Sequence, residues 1–286
     1  MVTQFLNVLI SGIVIGALYA LAAEGLNLIW GVMRIVNMAH GEFLMLGSYV
    51  AYYLFIAKHI NPFVSLIIAG IVLLASGWIT SRFLIRRILD GGEMIGLLFT
   101  FGLSIFLINM GILLFGGQFK TIAYLSGTLS WGPVFVSKPK LVAAIVSLLL
   151  SIAMYCFLRR TKPGAVIRAV ASDREMAEQC GVDANRVFDI AFGLGAALAA
   201  MAGVLVSISF PFSPLIGQAF ILKCFAVVVL GGLGNFLGAL LAGILVGVGE
   251  SLAAFYINVH MSHAVAFIII IVTLLVRPSG LLGGRS

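Results

Sequence analysis

LVAAIVSLLLSIAMYCFLRR, residues Leu141–Arg160, decides the fold. Eighteen residues pass without a charge and two arginines follow at once. As a helix, such a run covers about 27 Å, close to the ~30 Å hydrocarbon core of a bilayer. Ala264–Val276, AVAFIIIIVTLLV, repeats the pattern and ends at Arg277–Pro278. A membrane β-barrel would alternate apolar and polar residues, and these runs do not. The composition agrees: of 286 residues 62% are hydrophobic and 9% charged, against roughly 25% charged in soluble chains. A soluble domain is excluded. The prediction is an all-α polytopic membrane protein, one transmembrane domain over residues 1–286, with room for about eight transmembrane helices and no sizeable globular part.

Outward from that anchor, the other apolar runs are Phe5–Val36, Gly41–Ala57, Pro62–Ser81, Met94–Phe115, Phe188–Ile208, Phe220–Leu233 and Phe236–Tyr256. The opening MVTQFLNVLISG lacks a basic n-region, so the first run reads as a retained span. It is too long for one untilted crossing and carries Glu24, Asn27 and Arg34, which predicts a broken or re-entrant element near Glu24–Asn27. Pro211 and Pro214 break the chain before the short run Phe220–Leu233, and Gly117–Lys140, with Trp131 and Pro133, is a polar segment. With the Arg159–Val187 loop in the cytoplasm, Arg82, Arg86, Arg87, Arg277 and Arg285 fall on the same side. The net charge of +7 then follows from the positive-inside rule rather than from nucleic-acid binding. Cys156, Cys180 and Cys224 are far apart and odd in number, which suggests neither a disulfide framework nor a metal site. The 33 glycines include the pairs Gly12/Gly16, Gly234/Gly238 and Gly243/Gly247, which let helices approach closely in lipid, within the chain or at a subunit interface.

Three segments carry chemistry. In the loop 159–187, Ser172-Asp173-Arg174-Glu175 reads as a capping box that starts a helix over Asp173–Cys180, through Met176, Ala177 and Glu178, with Gly181 as its left-handed end. Asp183 reads as the cap of the next helix. A short capped helix between two spans is either a connector or a knob that passes force to a partner. In GLNLIWGVMRIVNMAHGEFLMLGSYV, residues 25–50, and just before it, Glu24, Asn27, Asn37, His40 and Glu42 cluster in a hydrophobic third of the chain. Polar groups at membrane depth face a cavity or a partner, so these five are candidates for a substrate pathway; the alternative leaves Arg34–Glu42 in the interfacial zone. In PFSPLIGQAFILKCFAVVVLGGLG, residues 211–234, the closing glycines suit a tight turn and not a nucleotide fingerprint, since no strand surrounds them. Glu250 and His263 read as packed or interfacial groups. No Gly-Lys dipeptide, HExxH, CxxC or GxSxG occurs, so a Walker A loop is absent and no catalytic constellation stands out.

These segments resemble the LivH family, the permease subunits of bacterial branched-chain amino-acid ABC importers. The matching residues are Gly25-Leu26-Asn27-Leu28-Ile29-Trp30-Gly31, Arg34-Ile35-Val36-Asn37-Met38-Ala39-His40-Gly41-Glu42-Phe43, Gly164 with Arg168-Ala169, Ala171 and Asp173 through Ala177, Gly181-Val182-Asp183, Val229-Leu230-Gly231-Gly232-Leu233-Gly234 and Arg277-Pro278 with Gly280-Leu281. The resemblance implies a type II ABC importer permease in the bacterial inner membrane that moves leucine, isoleucine or valine. It implies a second permease similar to LivM, two cytoplasmic ATPases similar to LivG and LivF, and a periplasmic substrate-binding protein. No cofactor is then expected in this chain, with ATP and Mg²⁺ held by the ATPases, and the loop helix becomes the coupling helix. Urea, short amides or other amino acids remain alternative cargoes. An ion-coupled secondary transporter using Glu24, Glu42 or Glu250 is the rival from another class.

Overall fold

A computed structural model describes residues 2–131, 134–277 and 279–282. Arg285, Pro133 and Pro278 lie outside them, as do the side chains of Trp131 and His263. Eleven α-helices appear among the described residues: α1 Val2–Met33, α2 His40–Lys58, α3 Pro62–Phe83, α4 Glu93–Phe115, α5 Lys138–Arg160, α6 Lys162–Ser172, α7 Arg174–Gln179, α8 Ala184–Ser209, α9 Ile216–Gly231, α10 Phe236–Tyr256 and α11 Val259–Val276. Inside the segment 117–140, β1 Thr128–Trp131 and β2 Val134–Ser137 pair as an antiparallel hairpin. Six helices, α1, α3, α4, α5, α8 and α10, are long and apolar enough to cross a membrane. The expected eight is therefore approximate: α2, α9 and α11 are apolar but shorter or more polar.

The first run is not broken at Glu24–Asn27. α1 is one helix of 32 residues, about 48 Å long, so it tilts or projects beyond the hydrocarbon. Polar side chains do not break a helix whose backbone bonds are intact. Here Glu24 and Asn27 are buried against neighbouring helices. The break comes later, where Arg34 adopts φ 56° and the chain runs without helix through Arg34–Ala39 before α2 begins.

Side-chain contacts set the direction of each element. Asn7 Oδ1 accepts the Phe135 amide at 2.8 Å, so the start of α1 lies on the hairpin side. Arg34 donates to the Ala171 carbonyl at 3.4 Å, so its end lies on the side of the 159–187 loop. α9 starts beside Gly41 on α2, and its end meets the turn clamped by Asn27 near the foot of α1. The run Phe220–Leu233 thus heads toward the loop side and α10 returns. The Gly232–Gly234 turn (φ 99° and 80°) joins them. The loop side gathers Arg34, Arg86, Arg159, Arg168 and Arg186.

α8 is the axis, packed on α1, α2 and α3. Small residues make that possible. A Cβ on Gly16 would come 2.7 Å from the Gly243 oxygen and the Ile244 Cα, so the pairs Gly12/Gly16 and Gly243/Gly247 seam α1 to α10 within the chain. At the loop side, Asp189 of α8 accepts Ser81 at 2.9 Å and the Arg86 guanidinium at 2.8 Å. That buried bridge fixes the end of α3.

Candidate functional site

α2 starts inside the protein, where its first turn is buried. Buried non-helical backbone must bond to something other than itself. Asn37 Oδ1 accepts the Ala39 amide at 3.1 Å, and the Thr100 hydroxyl of α4 accepts the Met38 amide (3.2 Å) and donates to the Val36 carbonyl (2.9 Å). His40 meets the Ala22 carbonyl through Nε2 at 2.8 Å. Glu42, fully buried, accepts Ser104 of α4 on Oε1 at 3.0 Å. The remaining atoms Asn37 Nδ2, His40 Nδ1 and Glu42 Oε2 have no hydrogen-bond partner among the described residues. Gly217 at the start of α9 sits against the Glu42 carboxylate, where any side chain would collide with it.

From Glu42 one face of α2 continues outward through Met45, Tyr49, Tyr52 and Tyr53, at the three- and four-residue steps of a helical stripe. A matching stripe on α4, Thr100, Ser104, Ile108, Gly111 and Phe115, lies against it. Ser104 meets Glu42, Met45 packs over Gly111 beside Pro214, and Phe115 stacks on Tyr49 at 4.1 Å. The linker 210–215 closes the third side, with Phe212 edge-on to Tyr49 at 5.1 Å. The outcome is a polar step at the break, an apolar middle and an aromatic cluster at the hairpin-side end.

Of the five predicted pathway residues, the structure brings Asn37, His40 and Glu42 together. Asn27 lies elsewhere and holds the α9–α10 turn: its Nδ2 donates to the Asn235 carbonyl at 2.9 Å and its Oδ1 accepts the Gly234 amide at 2.7 Å. Glu24 faces Ser151 on α5, with no hydrogen bond of normal geometry to either oxygen. Sequence reasoning missed Thr100 and Ser104, ordinary residues in an apolar helix. It also missed Lys223–Glu250. Lys223 sits in mid-α9, buried, with Nζ 2.7 Å from Glu250 Oε1 and 2.6 Å from the Tyr19 hydroxyl, which donates to Glu250 Oε2 at 2.6 Å. Two opposite charges in apolar runs were the available signal.

At the loop side the capping reading needs correction. Ser172 ends α6, and the cap of α7 is Asp173, whose Oδ1 accepts the Met176 amide at 3.0 Å. The helix is six residues, Arg174–Gln179. Asp beats Ser here because α6 already runs through Ser172, capped at its own start by Thr161. Gly181 (φ 85°) turns the chain and Asp183 caps α8 through the Arg186 amide, as read. Met176 is 58% exposed while Ala177 is buried at the base, and the Arg174 guanidinium lies 5.2 Å over the Phe188 ring of α8. Arg174 and Glu178 pair at 3.0 Å along the outer surface.

A family model described as the permease component of branched-chain amino acid transport systems matches residues 8–274. The chain is 33% identical to the high-affinity branched-chain amino acid transport system permease protein LivH of Salmonella typhimurium, covering 98% of this chain and 96% of that one. It is 33% identical to BraD of Pseudomonas aeruginosa with the same coverage, and 29% identical to a probable LivH of Methanocaldococcus jannaschii over 96% and 92%. Among solved structures, PsaBC from Streptococcus pneumoniae in complex with Fab matches with a TM-score of 0.53 and 13% identity over 98% of this chain and 97% of that one, a likeness of fold.

Proposed function

From the premise that this multi-pass membrane protein belongs to the permease family of branched-chain amino acid transport systems, we propose that it is the membrane subunit of an ATP-driven importer of leucine, isoleucine and valine in the bacterial inner membrane. Its partners in this reading are a second permease, two cytoplasmic ATPases that hold ATP and Mg²⁺, and a periplasmic binding protein. The chain itself is a transporter subunit without an ATPase site.

The observation that carries this reading is the α6–α7 knob. A six-residue helix stands on the loop side, capped at its start, turned by glycine at its end, with a large apolar side chain at its tip and a buried alanine at its foot. An exposed methionine on a polar knob suits a partner's groove. Push on α7 and the load passes through Arg174–Phe188 and the Asp183 cap into α8. α8 in turn abuts α2 where Gly47 meets Ala200 and Gly203 meets Leu44. Movement at the loop thus reaches the Glu42 step, where a substrate ammonium would find a carboxylate and its side chain an apolar middle.

The test is Glu175→Pro with Ala177→Pro in the assembled importer. Ala177→Pro removes the amide that bonds the Asp173 carbonyl and costs about 3 kcal/mol, more than six residues recover, while Glu175→Pro falls in the tolerant first turn and adds little, so α7 should be lost and uptake should fall more than about tenfold. Transport-linked ATP hydrolysis should fall with it while membrane insertion survives. Normal uptake by this variant would overturn the coupling assignment. Uptake by the chain alone, driven by a proton gradient in liposomes, would overturn the ATP-driven reading.

A further inference from the structure

At the hairpin-side end of α2 an ammonium sits inside a ring of tyrosines. Lys120 Nζ lies 4.8 Å from the ring centre of Tyr52, 5.3 Å from Tyr53 and 5.7 Å from Tyr49. Lys120 forms no ion pair among the described residues, so the π faces are what hold its charge. The walls are fixed independently of the lysine. Phe115 stacks on Tyr49, while Phe212 is fully buried and edge-on to both Tyr49 and Tyr52. The backbone of Lys120 is tied to Phe212 by two hydrogen bonds, 2.8 Å and 2.9 Å, which leaves only the four-carbon side chain to move. The Tyr49 hydroxyl, on a residue 1% exposed, has no hydrogen-bond partner among the described residues. Tyr53 is 42% exposed, so one wall of the cage reaches the surface of the chain.

We propose that the cage of Tyr49, Tyr52 and Tyr53 is an ammonium-binding site at the outer mouth of the pathway, and that Lys120 is its tethered occupant, displaced by the ammonium of an arriving amino acid. It rests on the proposed function for the identity of that ligand, though not for the site itself. A ring of aromatic faces recognises the charge and size of an alkylammonium, and the end of a lysine is a primary alkylammonium. A cage shaped for one accepts the other. The tether gives Lys120 an effective concentration in the millimolar range or above, so a free ammonium competes at a disadvantage and does not lodge. Seven residues along the same face, about 10 Å deeper, stands Glu42, the next group on the stripe able to take an ammonium. A site that holds weakly at the mouth and passes its charge to a carboxylate below suits delivery rather than storage. The other use of Lys120, as a staple fastening the 116–127 segment to α2, is the outcome that the experiment separates.

The full-length chain, purified with its partner subunits into lipid nanodiscs, is titrated with n-butylammonium and, as a neutral counterpart, 1-pentanol, by ligand-observed NMR. Lys120→Met, which keeps the stem and removes the charge, should tighten n-butylammonium by about tenfold or more, the tether's advantage being lost. Lys120→Arg, which keeps a cation in the cage, should bind as weakly as the native protein. Tyr52→Leu added to Lys120→Met should erase the gain, and 1-pentanol should not change. Equal affinity in native and Lys120→Met protein overturns the proposal. If the alkylammonium behaves as described and no amino acid is taken up, the cage stands and the transport reading falls. If uptake is normal and the alkylammonium ignores Lys120, the cage falls alone.

Discussion

Glu250 and Glu42 both sit inside this membrane domain among apolar helices, and they are treated differently. Glu250 is closed: Lys223 and Tyr19 satisfy both its oxygens, and the three side chains tie α10, α9 and α1 together. Glu42 is half open: Ser104 takes one oxygen and the other faces Gly217 without a partner. A buried charge with its counter-ion is structural, because its desolvation is offset in place. A buried carboxylate with an unused oxygen, at a break in the backbone and beside other orphan polar atoms, keeps lone pairs that can still accept a donor. The closed centre should therefore report on stability and the open one on transport.

The sharpest break of that contrast is Lys223→Ala. It strands Glu250 in the interior and should cost about 3–5 kcal/mol, seen as lost yield and a lowered thermal midpoint. Lys223→Ala with Glu250→Ala should recover part of the loss, since no charge is left unpaired. Tyr19→Phe removes one hydroxyl shared between two charged groups and should cost about 1.5–3 kcal/mol in the same melt. Glu42→Gln should have the smallest effect on stability, under about 1 kcal/mol, because the amide oxygen still accepts from Ser104. Uptake should nonetheless fall by about tenfold or more, the worth of one ammonium–carboxylate contact. A variant at Glu42 that melts early yet transports normally would reverse the assignment of the two centres.

Much of the fold was legible because its signals are local. Charge-free runs ended by Arg159–Arg160 or Arg82 mark spans, and Gly181 and Asp183 end and start helices through their own backbone and side chain. The GxxxG pairs were legible as close contacts, though which helices they join was not. The break after the first run was legible as a need and misplaced in position. Nothing in Glu24 or Asn27 unwinds a helix, and Arg34, which carries the left-handed turn, is no glycine. The site was legible in part. Asn37, His40 and Glu42 stand close in the chain and stay together in space. Ser104, Thr100 and the Lys120 cage depend on which face of α4 and which loop reach α2, and no spacing encodes that.

By itself the sequence determined that this chain lives in lipid, since its charged residues are too few to cover a soluble surface. It also determined that its arginines gather on one side and that a short capped helix stands there. Only the tertiary structure decided which buried polar groups are spent on holding helices and which keep an unused donor or acceptor. Hydrophobicity and capping act within a few residues, whereas the fate of a buried carboxylate rests on what packs against it: for Glu42 a serine 62 positions away, for Glu250 a tyrosine 231 positions away.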